Sequence, residues 1–422
     1  MVKKGVAEKT GVELFRIIVG FTFLFSGFVK AVDPLGFTYK IQDYLIELNL
    51  TELFQLAMPV ALFFVVAEFL LGAMLLIGAH RKWTARLIGL FMIFFTPFTL
   101  WVAIANPVED CGCFGDALVI SNWQTFYKNL VLLVGAILLI INWSVIKPVY
   151  SKKTGSYAAL FIAVFGLSFA LYNVYREPVI DFRSYKIGAD IPELMYVNAE
   201  DADIYETIFV YSKDGEEQEF TEEDYPWNDS TWTFVDMKNS LVKEGVKPEI
   251  EDFAIEVLYY DDFDNSWNFG GDITDLILSD TSYTFITVSY SLDKMSVKSL
   301  SRLKEISRFA LDNGFPFYFV TASSLDVLEK WEDKYQTEFQ FCHADERVLK
   351  TMIRTNPGLM LLKEGVVINK WDYIAVPTDN SDLIERGNAS NETKMLVIAI
   401  IFLVPLIIMR LIDSPQHKTK KN

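Results

Sequence analysis

The sequence predicts a polytopic α-helical membrane bundle of six spans joined to an extracytoplasmic α/β domain. The chain is apolar and acidic at once: 51% of its residues are hydrophobic, mean hydropathy is +0.24, and the formal net charge is −17. That combination belongs to a protein with one part in lipid and another in water. Apolar runs at 11–29, 56–78, 87–105, 123–146, 157–175 and 395–412 each have about the 17–25 residues that cross hydrocarbon as a helix. Between the fifth and sixth lies a polar stretch of domain size, 176–393, rich in Asp and Glu.

Orientation follows from the cations. Lys3, Lys4 and Lys9 precede the first span, Arg81, Lys82 and Arg86 separate the second from the third, Lys147, Lys152 and Lys153 separate the fourth from the fifth, and Lys418, Lys420 and Lys421 close the chain. The alternate loops carry Asp33, Asp43, Glu47 and Glu52, then Glu109, Asp110 and Asp116. The positive-inside rule puts both termini in the cytoplasm and the polar domain on the opposite face. The first span carries Glu13 and Arg16 and lacks a small-residue cleavage site, so a retained anchor is expected rather than a signal peptide. The acidity of the outer domain argues against nucleic acid and against adsorption on anionic lipid, leaving the bilayer itself as the expected contact.

Ionisable groups inside spans are expensive and are usually paired. Counted from the outer ends of their spans at Lys30 and Leu56, Arg16 lies roughly 21 Å deep and Glu68 roughly 18 Å deep at 1.5 Å per residue. An Arg16–Glu68 ion pair is therefore expected, serving helix register or proton movement.

Two of the three cysteines stand one residue apart in Cys111-Gly112-Cys113-Phe114-Gly115, between the third and fourth spans. Three readings remain open. A disulfide across Gly112 needs Cα atoms about 4.4–6.8 Å apart, which a bent glycine provides with strain, and strain makes a bridge more oxidising. Two thiolates with Asp110 or Asp116 are a thin donor set for zinc, which prefers four N or S ligands, so no metal is expected. The third reading is a tight turn of small residues. Lys30, at the outer end of the first span, is placed either to stabilise a thiolate or to snorkel.

These residues carry a resemblance. Arg16-x-x-x-Gly20, Phe25-Ser26-Gly27-x-x-Lys30-x-x-Asp33-Pro34, Tyr44 in an outer amphipathic segment, Glu68 before Leu71-Gly72, and the Cys-Gly-Cys-Phe-Gly loop are similar to the DoxX-like membrane proteins and the related MauE (methylamine utilisation) family over roughly residues 8–146. The resemblance implies a four-helix bundle concerned with thiol or sulfur redox chemistry, Cys111 and Cys113 as the redox pair, a quinone as electron acceptor, and a bacterial inner-membrane location with a periplasmic domain. The chain departs from the related vitamin K epoxide reductase plan, which uses Cys-x-x-Cys and a second loop pair.

Within the outer domain, strands are expected at 253–260, 284–290, 315–321, 358–362 and 366–371, and helices at 296–313, 325–335 and 348–353. Val297, Leu300, Leu303, Ile306 and Ala310 keep helical spacing through the first of these helices. This order, with Asn356-Pro357 before a strand, resembles a thioredoxin fold, and the resemblance implies that Pro357 is its cis proline. Where that fold carries Cys-x-x-Cys, this chain has Ser291-Leu292-Asp293-Lys294, which excludes ordinary dithiol exchange by this domain. Cys342, in Phe341-Cys342-His343, is a buried core thiol, an accessory thiol for the membrane pair, or part of a metal site with His343.

The chain thus divides into a cytoplasmic N-terminus (1–10), the four-helix membrane domain (11–146), a cytoplasmic loop (147–156), a fifth transmembrane helix (157–175), a β-rich extension (176–250), the thioredoxin-like domain (251–376), a linker (377–394), a sixth transmembrane helix (395–412) and a cytoplasmic tail (413–422). The expected function is that of a membrane thiol/disulfide or sulfur redox protein coupled to a quinone. The rival is a non-enzymatic scaffold whose degenerate thioredoxin-like domain binds an envelope protein or peptide.

Overall fold

The computed structural model describes residues 6–108, 110–198, 204–243, 245–385 and 390–416. Lys3, Lys4, Lys418, Lys420, Lys421 and Glu109, used above for orientation, lie outside them. Among the described residues, six helices are long and apolar enough to cross a membrane. The membrane half comprises α1 (Val6–Val32), α2 (Pro34–Glu47), α3 (Phe54–Ile77), α4 (Arg81–Ala105), α5 (Asn122–Asn142) and α6 (Lys152–Tyr175), and Asn391–Gln416 forms the last span. The helices outrun their apolar runs. α4 starts at Arg81 and α6 at Lys152, where Ser151 caps the helix by accepting from Thr154 N.

Glycines set how α1 meets α3. A Cβ added at Gly27 would lie 2.3 Å from Phe69 N, and one added at Gly72 would lie 2.2 Å from Leu24 N. No side chain fits between the two backbones there, which is how small residues let membrane helices approach. The same contact fixes the register: Gly27 abuts Phe69 and Gly20 abuts Leu76. Asp33 breaks α1 from α2 and caps α2 by accepting from Gly36 N at 2.9 Å. α2 then runs back along the first half of α3, with Thr38 Oγ1 3.5 Å from Met58 Sδ.

This register corrects the expected Arg16–Glu68 pair. Arg16 Nε donates to Glu13 at 2.7 Å and its Nη1 to Leu76 O at 2.6 Å. Glu68 takes Lys30 instead, at 2.9 and 2.8 Å. Leu76 and Glu68 are about 12 Å apart along α3 at 1.5 Å per residue, so one arginine cannot serve both. The depth estimate failed because it levelled the outer ends of the two spans. α3 in fact begins alongside α2, beyond the end of α1.

The polar half holds two sheets. After α7 (Ile191–Met195), β1 (Ile204–Lys213), β2 (Glu216–Phe220) and β3 (Thr233–Lys243) form an antiparallel sheet in the order β2-β1-β3. The main sheet uses β4 (Glu256–Asp261), β5 (Ser266–Asp272), β6 (Tyr283–Ser289), β7 (Phe317–Thr321), β8 (Gln340–His343), β9 (Gly358–Lys363) and β10 (Val366–Asp372) in the order β10-β9-β6-β7-β8-β4-β5. β6, β7 and β8 are parallel to one another, and the remaining pairings are antiparallel. The associated helices are α8 (Thr274–Leu278), α9 (Leu300–Asp312), α10 (Leu325–Tyr335), α11 (Glu346–Met352) and α12 (Ser381–Ile384), before α13, the last span. Strand alternation gives this sheet two buried faces. Phe285, Phe319 and Leu361 pack with α9 and α10, whereas Ile286, Val320 and Met360 pack with α8 and α11. Residues 180–191, read from sequence as the start of a β-rich extension, join this second core through Tyr185 and Ile191. Their apolar side chains have a face to cover there.

The sheet domain sits at the end of the bundle where α2 and the loop between α4 and α5 lie, joined through Arg354 and Asp33. The other connections gather at the opposite end, where Val149 N donates to Ile77 O and Arg81 to Ile146 O. Replacing Gly27 or Gly72 by Val is expected to destabilise the bundle at the upper end of the about 1–3 kcal/mol typical of overpacking. Gly11→Ala, which meets nothing within 4 Å, should not lower stability in an SDS-unfolding titration, since alanine favours a helix over glycine, and serves as the control.

Candidate functional site

The loop from α4 to α5 is tied at both ends. Asn122 Nδ2 donates to Asn106 Oδ1 and to Val108 O, each at 2.8 Å, and Ser121 with Gln124 makes a reciprocal capping box at the start of α5. Between these ties the chain dips towards α1 and α2. Gly112 has φ +65°, in the left-handed region that glycine enters without penalty. Its N–H donates to Asp110 Oδ1 at 2.8 Å, while Asp110 Oδ2 holds Lys40 of α2 at 2.7 Å. Tyr44 Oη donates to Cys111 O at 3.3 Å.

That geometry brings the thiols together. Cys111 Sγ and Cys113 Sγ are 2.9 Å apart, and both are free. Cys111 is buried, with its sulfur 3.3 Å from Thr125 Oγ1. Cys113 lines a small crevice of about 50 Å³ that also reaches Ser26, Lys30, Glu68, Lys128 and Asn129 at one end and Phe91, Met92 and Phe95 along its wall. The two sulfurs share a proton unevenly. The Cys111 thiol donates to Cys113, and with the charges of Lys128 and Lys30 this holds Cys113 down to about 6 against burial and Glu68. Cys111, as the donor and a buried group, is pushed well up.

Behind the loop stands the buried ion pair. Lys30 is 5% exposed and Glu68 7%, so neither charge is solvated and each depends on the other. The Ser26 hydroxyl lies 2.7 Å from Glu68 Oε2 and 2.9 Å from Cys113 O, and its single proton can serve either acceptor. Lys30 also lies 4.7 Å over the Phe37 ring, and Lys128 lies 4.2 Å over that of Phe114. Of the residues chosen from sequence, Cys111, Cys113, Lys30 and Glu68 converge here, while Arg16 lies towards the far end of α1. Cys342 lies elsewhere, in β8, fully buried in the sheet core and paired in register with Val257 and Val320. Burial pushes its thiol up to about 12. The Asn356–Pro357 peptide is cis, and Asn356 holds the 291–294 turn by donating to Ser291 O at 2.7 Å. Lys128, Thr125 and Lys40 escaped the sequence reading. Lys128 carried a signal, the one charged residue in its membrane-spanning helix.

A second charged cluster locks the outer domain above this site. Arg354 grips Asp33 with Nε at 3.0 and 2.9 Å and Nη2 at 2.6 Å, and lies 3.5 Å from Asp116 in the Cys loop. Burial pushes the Asp33 carboxyl up, but the charge and hydrogen bonds of Arg354 prevail and hold it below the usual range. Glu177, just past α6, accepts from Arg354 N at 2.7 Å, Thr355 N at 2.9 Å and Arg183 Nη2 at 2.8 Å. Arg183 and Lys370 in turn share Asp181.

Fold and site together define a multi-pass membrane protein with an α/β domain seated over a two-cysteine loop. Residues 8–142 match the family described as methylamine utilisation protein MauE, so the membrane part is MauE-like. Residues 205–244, the three-stranded sheet, match a domain of unknown function, DUF8463. No curated protein and no solved structure matches the chain.

Glu68→Gln should cost about 3–5 kcal/mol in bundle stability by leaving the Lys30 ammonium buried without its carboxylate. Lys30→Met combined with Glu68→Met should recover most of that loss. Unfolding titrations of the three proteins read this directly, and equal stability of the single and double variants would count against the pair.

Proposed function

We propose that this protein is a thiol/disulfide redox protein of the bacterial inner membrane, with Cys111 and Cys113 as its reversible dithiol and a membrane quinone as electron acceptor. The observation that carries the reading is the pair of sulfurs 2.9 Å apart, one of them facing a crevice lined by two cations, the buried Lys30 and the part-buried Lys128. In the oxidising direction a substrate thiolate attacks Cys111 of the Cys111–Cys113 disulfide, and Cys113 leaves as thiolate. The lower-pKa sulfur is the better leaving group, and Lys30 and Lys128 favour its charge. A second substrate thiolate then displaces Cys111, giving an oxidised substrate and a reduced pair. Two electrons and two protons pass from the pair to the quinone, which departs as quinol.

The crevice offers what a quinone carbonyl needs, donors from Lys128 and Asn129 beside an aromatic wall. At about 50 Å³ it is far below the about 300–1,000 Å³ of ligand sites, so entry of the ring requires Phe91 or Phe95 to move. We assign the outer domain to the thioredoxin-like class, supported by its parallel β6-β7-β8 core and antiparallel β9-β10 pair. Without cysteine at 291–294 it serves binding rather than exchange. The cationic loops support cytoplasmic termini and a periplasmic Cys loop and outer domain.

Trapping thiols with a mass-shifting alkylator in intact cells tests the reading. Cys111 and Cys113 should be found oxidised in part, and Cys→Ala at either should change the thiol status of envelope proteins. Permanently reduced cysteines with no such change would refute it. In purified reduced protein, iodoacetamide should label Cys113 with a rate that rises with pH around a midpoint below that of a free thiol, because the Cys111 hydrogen bond and the charges of Lys128 and Lys30 favour the thiolate. Lys128→Met should move that midpoint upward, towards the about 8.5 of a free thiol, because the thiolate loses a neighbouring cation.

A further inference from the structure

A cavity of about 1130 Å³ separates the membrane bundle from the outer domain. One wall is α2, which lines it from Leu35 to Ile46, and the other is the Tyr290–Lys294 turn with Lys350 and Arg354. Its floor includes Asp110 and Gly112 of the Cys loop. We propose that this cleft seats an extended, cysteine-bearing polypeptide segment as the substrate of the Cys111–Cys113 pair, an inference that rests on the redox reading above.

Size argues first. The volume exceeds the about 300–1,000 Å³ typical of small-ligand sites. Leu35 to Ile46 spans about 16 Å of helix, the length of about five extended residues. A slot walled along one helix by two packed bodies suits an extended chain. The lining chemistry points the same way. The lining mixes apolar side chains, among them Ile46, Phe54 and Met58, with charges of both signs, among them Asp43, Arg347 and Lys350. That mixture suits the dipoles and varied side chains of a polypeptide.

One donor in the wall is left over. Arg183 is 3% exposed and lines the cleft. Its Nε and Nη2 are taken by Asp181 and Glu177, whereas Nη1 has no hydrogen-bond partner. A buried guanidinium N–H without an acceptor is costly, but this one is sealed from solvent, so an acceptor in the cleft reaches it only if the wall around Arg183 shifts. Gly112, in the floor, is bonded directly to both cysteines, so a chain lying along α2 passes within one residue of each sulfur. Lys40 lies across that passage. A Cβ on Gly112 would meet the Lys40 side chain at 3.1 Å, so the Lys40–Asp110 pair must swing aside for a substrate thiol to reach the loop.

The test separates binding from chemistry. In full-length protein carrying Cys111→Ser and Cys113→Ser, a single new thiol is placed at the exposed rim by Asp293→Cys, or by Lys294→Cys as a second position. A control thiol is placed outside the cleft by Asp312→Cys, at the exposed end of α9. The probe is a synthetic unstructured peptide of about ten residues with its cysteines carbamidomethylated. At a concentration about ten times its Kd it should slow fluorescein-maleimide labelling at either rim position by about tenfold and leave the control untouched. Failure to protect either rim position overturns the proposal, as does protection by phospholipid vesicles and not by peptide. If wild-type protein oxidises small thiols while the peptide neither protects nor is oxidised, the cleft proposal falls and the redox reading stands. If the peptide protects but its reduced form is never oxidised by the wild type, the redox reading falls and the proposed substrate role falls with it.

Discussion

The Lys30–Glu68 pair is the constraint on which the rest of this structure depends. Two charges held in a helical bundle must be matched in depth, azimuth and distance, because neither is solvated and an unpaired partner is costly. Glycine makes the match available. The backbone contacts at Gly27 and Gly72 bring α1 against α3 closely enough for a lysine and a glutamate to meet at 2.8 Å without reaching water. From that pair the order extends outward. Ser26 links Glu68 to the carbonyl of Cys113, and Lys30 is one of the two cations acting on the Cys113 sulfur. The thiol loop is thus positioned by the same buried charges that set the helix register.

The outer domain is held by the same kind of device. Asp33, which ends α1 and caps α2, also receives the guanidinium of Arg354 from the segment leading to Pro357. One carboxylate therefore fixes the bend in the membrane helix and the placement of the domain above it. Glu177 repeats the arrangement from α6, accepting the backbone N–H groups of Arg354 and Thr355. Chains of buried ion pairs contribute specificity of arrangement more reliably than raw stability, and this network fixes how two structurally unlike halves meet.

Much of this was legible from the amino-acid sequence. The six spans follow from apolar runs of bilayer length, and five of the main sheet's seven strands, all but β5 and β8, from short β-branched and aromatic runs set between amphipathic helices such as 300–312. The proximity of Lys30 to the Cys loop was also visible, since both lie at the same end of their spans. The partner of Glu68 was not. Depth counted from span ends cannot register α1 against α3 when α2 continues beyond α1 and α3 starts level with α2. A Gly27–Phe69 backbone contact leaves no trace in hydropathy. The roles of Lys40, Asp33 and Arg354 were hidden for a related reason. Each is a tertiary match between residues far apart in the chain, up to 321 positions for Asp33 and Arg354, and no local pattern encodes such a match.

The junction at the end of α6 has a mechanical consequence. α6 ends at Tyr175, and the very next residues are already engaged: Arg176 with Asp372 at the end of β10, and Glu177 with the strand-leading segment before Pro357. There is no slack between membrane helix and outer domain. The domain is held by these contacts rather than by a free tether, so the space above Gly112 is framed by the side chains that join the two halves. The Cys loop thus lies under a roof whose placement is fixed by buried charges on α1 and at the end of α6.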